Sequence, residues 1–204
     1  MEKNNFKKED AGCDKYGNQR LELAVYLKQN ILNNLALPWF IENGTLLGAW
    51  RNGKFIAHDD DFDYAMLINN RDEIQAIYEK INNCLQNSKY KSRLIETYSH
   101  KIEVYDESYG KYFLLGNQYN NNDYHYVTID LQFYIKENDK YTKLYYANPF
   151  TYTFSDQTIL PLTSIELENE SFNAPAKIEQ FLIENYGSLD PNASYNAKTG
   201  LYEL

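Results

Sequence analysis

The stretch 44–63, GTLLGAWRNGKFIAHDDDFD, constrains this chain more than any other. Its second half sets Asp59, Asp60, Asp61 and Asp63 directly before an apolar run, Met66, Leu67 and Ile68. The run predicts a strand over 62–68. If the chain is extended through the acidic residues, Asp59, Asp61 and Asp63 share one face. Carboxylates that close at neutral pH either keep a proton or hold a cation. Hard divalent ions, Mg²⁺ (or Mn²⁺), take oxygen ligands of this kind. The first half carries a different chemistry. An apolar run over 38–41 precedes Gly44 and Thr45, and a short helical pattern over 46–51 follows. A strand that ends at glycine and turns into a helix presents free N–H groups at the positive end of a helix dipole, which favours a phosphate. Gly44 and Thr45 are therefore candidate phosphate-facing residues. A phosphate cradle beside a metal cradle is the minimum apparatus for chemistry on a nucleotide-linked phosphate.

Three plainer readings compete. An acidic run is commonly a solvated turn, but here the chain continues as a strand. Asp59-x-Asp61-x-Asp63 also opens like a calcium loop. That pattern then fails, because Tyr64 stands where a glycine is needed and Asn70 where a bidentate glutamate is needed. A lone glycine turn carries little by itself; the two halves together at this spacing are specific.

The remaining pattern predicts an α/β (α+β) chain. Residues 1–17 read as a flexible arm, 18–190 as one domain and 191–204 as a polar tail. A helix is expected over 18–35 from Leu21, Val25, Leu27, Ile31, Leu32 and Leu35, and another over 69–85 from Ile74, Ile77, Ile81 and Leu85, capped by Asn69 or Asn70. Strands are expected over 39–41, 101–105, 111–115 and 124–135, with turns at Gly110 and Asn120-Asn121-Asn122. In 124–135, Val127, Ile129, Leu131 and Phe133 point one way and Thr128, Asp130 and Gln132 the other. Asp130 thus sits inside an apolar strand, where aspartate is depleted unless something compensates it. A shared metal would do so; a half-solvated sheet face is the alternative. A turn at Asn148-Pro149, a buried-looking Ile159-Leu160-Pro161-Leu162 and a hairpin within 165–172 follow. A last helix starts near Pro175, with Ile178, Phe181, Leu182 and Ile183 on its apolar side and Gly187 as its cap.

Composition bounds the function. A formal net charge of -9 disfavours nucleic-acid binding, which needs a basic face. Cys13 and Cys84 are isolated and suggest neither a zinc site nor a disulfide framework. No signal segment and no membrane span stand out, so a cytoplasmic protein is expected. Twenty tyrosines reflect either coding bias or exposed rings suited to stacking on a glycan or a base.

GTLLGAWR, then FIAHDDDFDYAM, VTIDLQFY, ILPL, FNAP and FLIENYG resemble, in order, the motifs of the LicD/fukutin-like family, a branch of the nucleotidyltransferase superfamily. The likeness runs over residues 38–187. It implies a mixed β-sheet flanked by helices, with a divalent metal at the acidic strand. It implies Asp61 and Asp63 as principal metal ligands, Asp59 on the same face and Asp130 as the third carboxylate of the site. Gly44 and Thr45 would face the donor phosphates, and Arg51 is a candidate to bind them as well, the alternative being a surface arginine that closes the helix. Two positions depart from the family pattern. His58 stands where many members have tryptophan, and no tryptophan follows Tyr186-Gly187. A histidine beside three aspartates is more often a hydrogen-bonded neighbour than a ligand or a base.

The expected activity is a metal-dependent transfer of a phosphate-linked group, such as phosphocholine or a pentitol phosphate, from a CDP-activated donor to a sugar or glycan hydroxyl. Asp61, Asp63 and Asp130 are the expected catalytic carboxylates. Two alternatives share the residues: a nucleotidyltransferase that adds NMP from an NTP to a small molecule or protein, and a nucleotide-binding module without turnover.

Overall fold

The computed structural model describes residues 8–97, 99–113, 123–145, 152–190 and 192–204. In chain order these form α1 (Cys13–Asn30), β1 (Trp39–Ile41), α2 (Asn43–Asn52), β2 (Asp63–Ile68), α3 (Glu73–Leu85), β3 (Tyr90–Ile95), β4 (Lys101–Asp106), β5 (Lys111–Phe113), β6 (Asp123–His125), β7 (Thr128–Glu137), β8 (Lys140–Lys143), β9 (Thr153–Ser155), α4 (Asp156–Ile159), β10 (Thr163–Leu167), β11 (Glu170–Ala174), α5 (Ile178–Tyr186), β12 (Ser194–Asn196) and β13 (Leu201–Glu203).

A seven-stranded mixed sheet runs β1-β2-β7-β4-β3, extended by β8 on β7 and β9 on β8. Among the described residues, only β2 and β7 pair in parallel within it. Their register sets Asp63 beside Asp130, and β4 then sets Glu103 on the other side of Asp130. Every residue of β2 is buried, as expected for a strand covered on both faces rather than one. On one face α1 packs over Tyr64, whose hydroxyl donates to the Ala24 carbonyl at 2.9 Å. On the other, Phe181 of α5 stacks on Phe154 with ring centroids 4.3 Å apart and meets Phe40 edge-on. The helices are there to cover these two faces.

α3 carries the predicted stripe: Ile74, Ile77, Ile81 and Leu85 are buried. It starts at Glu73, later than expected. The Glu73 carboxylate accepts from the N–H groups of Asn69 and Asn70, holding those residues outside the helix. Gly187 ends α5 with φ +81, and β10–β11 is the expected hairpin, widened. Ile183, expected on the buried side of α5, is 48% exposed, and of Ile159–Leu162 only Ile159 is buried while Pro161 is exposed.

Other elements depart from the expected pattern. α1 begins at Cys13 and ends at Asn30, with a 3-10 turn over Leu32–Asn34. Residues 13–17, read as part of an arm, are its first turn. The cause is Arg20, which is fully buried. Its guanidinium donates to the carbonyls of Ala11, Asp59 and Tyr126 and to the Cys13 sulfur. One side chain thus ties the start of α1 to the acidic loop and to the end of β6. The same clasp breaks the strand expected over 124–135 into β6 and β7, since the chain bends at Tyr126 to bring its carbonyl to Arg20 at 2.6 Å. Residues 192–204, read as a tail, carry the β12–β13 hairpin, joined to the fold where Gly187 bridges Tyr202. The expected turns at Asn120-Asn121-Asn122 and Asn148-Pro149, and residues 114–115, lie outside the described residues. Arg20→Met would leave three carbonyls without their donor. It is expected to cost about 3 kcal/mol or more in urea unfolding; a loss under about 1 kcal/mol would show that the clasp does not hold α1 to the loop.

Candidate active site

The acidic run is not a strand with one carboxylate face. Residues 57–58 form a turn and 59–62 are irregular; β2 begins only at Asp63. Asp60, which alternation would point away, turns inward and accepts from the Tyr112 hydroxyl at 3.3 Å. Two overlapping carboxylate groups result. Asp61, Asp63 and Asp130 each offer an oxygen within 4.8 Å of the others, and so do Asp59, Asp60 and Asp61. Asp61 belongs to both. The β2–β7 register builds the first group, because direct partners in a parallel pair project side chains to the same face. The expectation that Asp59 stands with Asp63 and Asp130 is therefore revised: its neighbours are Asp60 and Asp61. Leaving the strand before Asp63 breaks the alternation that expectation relied on.

Asp130 and Asp63 are each 4% exposed, which rules out a half-solvated face. Burial raises the Asp63 carboxyl well above the ordinary range, and Asp61, Asp130 and Glu42 add to the rise. Burial likewise raises Asp130, to about 7, against the pull of Lys101. Lys101 is the compensating group that the sequence reading missed. Its ammonium lies 2.5 Å from Asp130 and 3.0 Å from Glu103. Glu103 in turn meets the Arg93 guanidinium, so negative and positive charge alternate along this row of the sheet. Gln132 donates to Asp63 at 3.0 Å. On the far side of Asp63, buried Glu42 accepts from Lys143 at 3.1 Å and from the Tyr134 hydroxyl.

The donor set fits a hard cation. Oxygens on opposite sides of Mg²⁺ stand about 4.2 Å apart and around Ca²⁺ about 5 Å. Three oxygens no more than 4.8 Å apart can lie within about 2.8 Å of a shared centre, so shifts of about 0.7 Å or less close them on such an ion. Protons held on Asp63 and Asp130 by burial and mutual repulsion are what a divalent ion would displace.

α2 runs from Asn43 and ends at Gly53, φ +69. Gly44 lies in its first turn and Thr45 behind it. A Cβ at Gly44 would stand 2.3 Å from the Asp59 carboxylate, so the missing side chain is what lets Asp59 lie against the start of α2. Thr45 is revised. It is buried, and its hydroxyl accepts from the Asp63 N–H at 3.0 Å. It fixes where β2 begins rather than facing a ligand. Arg51, exposed in the last turn of α2, donates to the Leu189 carbonyl at 3.2 Å. Gly44, Arg51, Asp59, Asp61, Asp63 and Tyr186 line one cleft of about 660 Å³. His58 lies at its exposed rim. Tyr186 escaped the sequence reading; burial and the nearby Asp63, Asp59, Glu42 and Asp61 hold its phenol in the neutral form. Its position after a helical apolar stripe gave no sign that it faces the carboxylates.

The pH dependence has a defined sign. Asp63 and Asp130 bind protons more tightly folded than unfolded, so their contribution destabilises the metal-free protein progressively as pH rises from the ordinary carboxylate range through about 7. Relative to Asp130→Asn, the metal-free wild type should lose melting temperature between about pH 5 and pH 8, and the gain from added Mg²⁺ should grow over the same interval. Differential scanning fluorimetry in chelator and in Mg²⁺ measures both; a gain independent of pH would contradict proton release from these carboxylates.

Among the described residues, no helix is long and apolar enough to cross a membrane. No curated protein matches the chain. Residues 36–177, more than half of it, match the family model described as the LicD/FKTN/FKRP nucleotidyltransferase domain. That span holds α2, β2 and β7 and with them Gly44, Arg51 and all the aspartates of both carboxylate groups. The chain belongs to the LicD/FKTN/FKRP nucleotidyltransferase-domain family.

Proposed function

We propose that the protein transfers a phosphate-linked group, such as phosphocholine or a pentitol phosphate, from a CDP-activated donor to a glycan hydroxyl. Membership in the family points more broadly to a transferase that modifies glycans, with a metal commonly at its acidic cluster. One observation carries the finer reading. Carboxylates from two parts of the chain, Asp61 and Asp63 on one side and the buried Asp130 on the other, meet within 4.8 Å, and Asp61 and Asp63 line a cleft that Gly44 of α2 and Arg51 line as well.

In this reading Asp61, Asp63 and Asp130 hold Mg²⁺ or Mn²⁺, which when bound offsets negative charge on the donor diphosphate. The first turn of α2 and Arg51 bind the donor phosphates, with the Asp59 carboxylate that lies against Gly44 moving aside. Lys101 and Gln132 keep the carboxylates oriented: Lys101 holds one oxygen of Asp130, and Gln132 holds one of Asp63. Asp130 is also the carboxylate that takes the proton of an acceptor hydroxyl, directly or through water. Tyr186, neutral beside the carboxylates, offers a hydroxyl donor toward the same space.

Asp61→Ala and Asp63→Asn, each folded by circular dichroism, should release CMP from CDP-choline or CDP-ribitol in Mg²⁺ about a hundredfold more slowly than wild type, or worse. Turnover undiminished in both would remove these residues from the chemistry. Pyrophosphate formed from an NTP, with no CMP from either donor, would reassign the reaction to nucleotidyl transfer. Gly44→Ala pushes a Cβ into the Asp59 carboxylate, which can swing aside, so the fold should survive. Donor affinity should fall by about tenfold by isothermal titration; unchanged affinity would place the donor elsewhere.

A further inference from the structure

A second cleft, of about 330 Å³, lies against the first. Asn43, Tyr186 and Tyr202 line both and so form the wall between them. Asp63 faces the first cleft, and its hydrogen-bond partner Gln132 faces the second. Gln132 is 8% exposed. Its amide nitrogen is held by Asp63, while its buried Oε1 accepts no hydrogen bond from the described residues. A buried amide oxygen left so is costly unless a ligand or water donates to it. Asn43 and the buried Asn185 add two more amides to this cleft, and Lys143 adds an ammonium. No carboxylate residue lines it among the described residues. The rest of its wall is tyrosine: Tyr145, Tyr152, Tyr186, Tyr195 and Tyr202. Tyr195 and Tyr202 come from the β12–β13 hairpin, outside the residues that match the family model, and are 54% and 41% exposed.

Amides that both donate and accept, set among flat rings that are apolar on the face and polar at the tip, suit a ring that is apolar on its C–H faces and carries hydroxyls around its edge. Each cleft has one cationic side chain, Lys143 here and Arg51 in the first, but only the first is lined by carboxylates that could add a divalent ion for a diphosphate to bind. We propose that the second cleft is the acceptor subsite, which seats a neutral sugar ring on Tyr195 and Tyr202 with one hydroxyl donating to Gln132 Oε1 and a neighbouring hydroxyl at the acidic centre. The proposal rests on the transferase reading above. The step it implies is balanced. The acceptor oxygen bonds to the donor phosphorus next to the transferred group, the bond from that phosphorus to the bridging oxygen breaks, and a nucleoside monophosphate leaves with that oxygen. The hydroxyl proton passes to the Asp130 carboxylate.

Tyr195 lines the second cleft and not the first, and its exposure makes Tyr195→Ala safe for the fold. Binding is measured first, by saturation-transfer difference NMR with methyl glucoside, methyl galactoside and free ribose on the wild type. Transfer to at least one of them, reduced several-fold by Tyr195→Ala and by Gln132→Leu, is expected. No transfer to any of the three in the wild type, or transfer that both variants leave intact, would overturn the subsite whether or not the protein is active. Kinetics then separate the two claims. With a working donor, Tyr195→Ala should raise the acceptor KM by about tenfold and the donor KM by less than about twofold. Equal effects on both KM values, or none on the acceptor, would overturn the subsite and leave the transferase reading standing. Absence of CMP release from any donor, with sugar binding lost in the variants as expected, would remove the transferase reading and leave a sugar-binding cleft.

Discussion

Two buried carboxylates held side by side across a parallel strand pair are the constraint on which the rest of this molecule depends. Asp63 and Asp130 are direct partners in the β2–β7 register, and each is almost wholly removed from water. Like charges so placed repel, and burial denies them the solvent that would screen the repulsion. Several features around them answer this problem. Lys101 places positive charge between Asp130 and Glu103, and Arg93 pairs with Glu103 beyond it. Gln132 donates to Asp63, and Lys143 neutralises Glu42 beyond it. What these contacts leave over is two carboxyls whose hold on a proton is raised by burial, in a donor set that could take a divalent ion.

The apparatus around the pair is positioned by contacts that do no chemistry themselves. Thr45 holds the amide of Asp63 and so decides where the irregular acidic loop gives way to strand. Arg20 holds the carbonyl of Asp59 from beneath and joins the loop to α1 and to the segment leading into β7. Gly44 leaves room for the Asp59 carboxylate at the start of α2. Glu42, last before α2, shares the Lys143 ammonium with Asn43. The loop, the helix start and the two strands are therefore coupled through side chains, and a change in one shifts the carboxylates of another.

How much of this the sequence disclosed depends on the range of the interaction involved. The α3 stripe and the β1 and β2 runs were legible because periodicity is a local property. Asp130 stood out because an aspartate among β-branched and apolar residues demands compensation. Its compensation was not legible: Lys101 lies in another strand, and only the β4–β7 register brings it near. The reading of Asp59, Asp61 and Asp63 as one face assumed an extended chain, whereas tertiary contacts through Arg20 and Tyr112 bend it. β3, with the sequence YKSRLI, mixes charge with apolar residues and yields no clean alternation, yet it pairs along its whole length with β4. The β12–β13 hairpin is short and polar and reads as a tail; its tyrosines acquire meaning only when Tyr202 meets Gly187 beside the clefts.

If Asp61, Asp63 and Asp130 form one divalent-cation site, anomalous diffraction from crystals soaked in Mn²⁺ will show a manganese peak about 2.2 Å from an oxygen of each of these three side chains. A peak confined to the Asp59–Asp60–Asp61 group, or no peak near Asp63 and Asp130 at a pH where both are ionised, would contradict it.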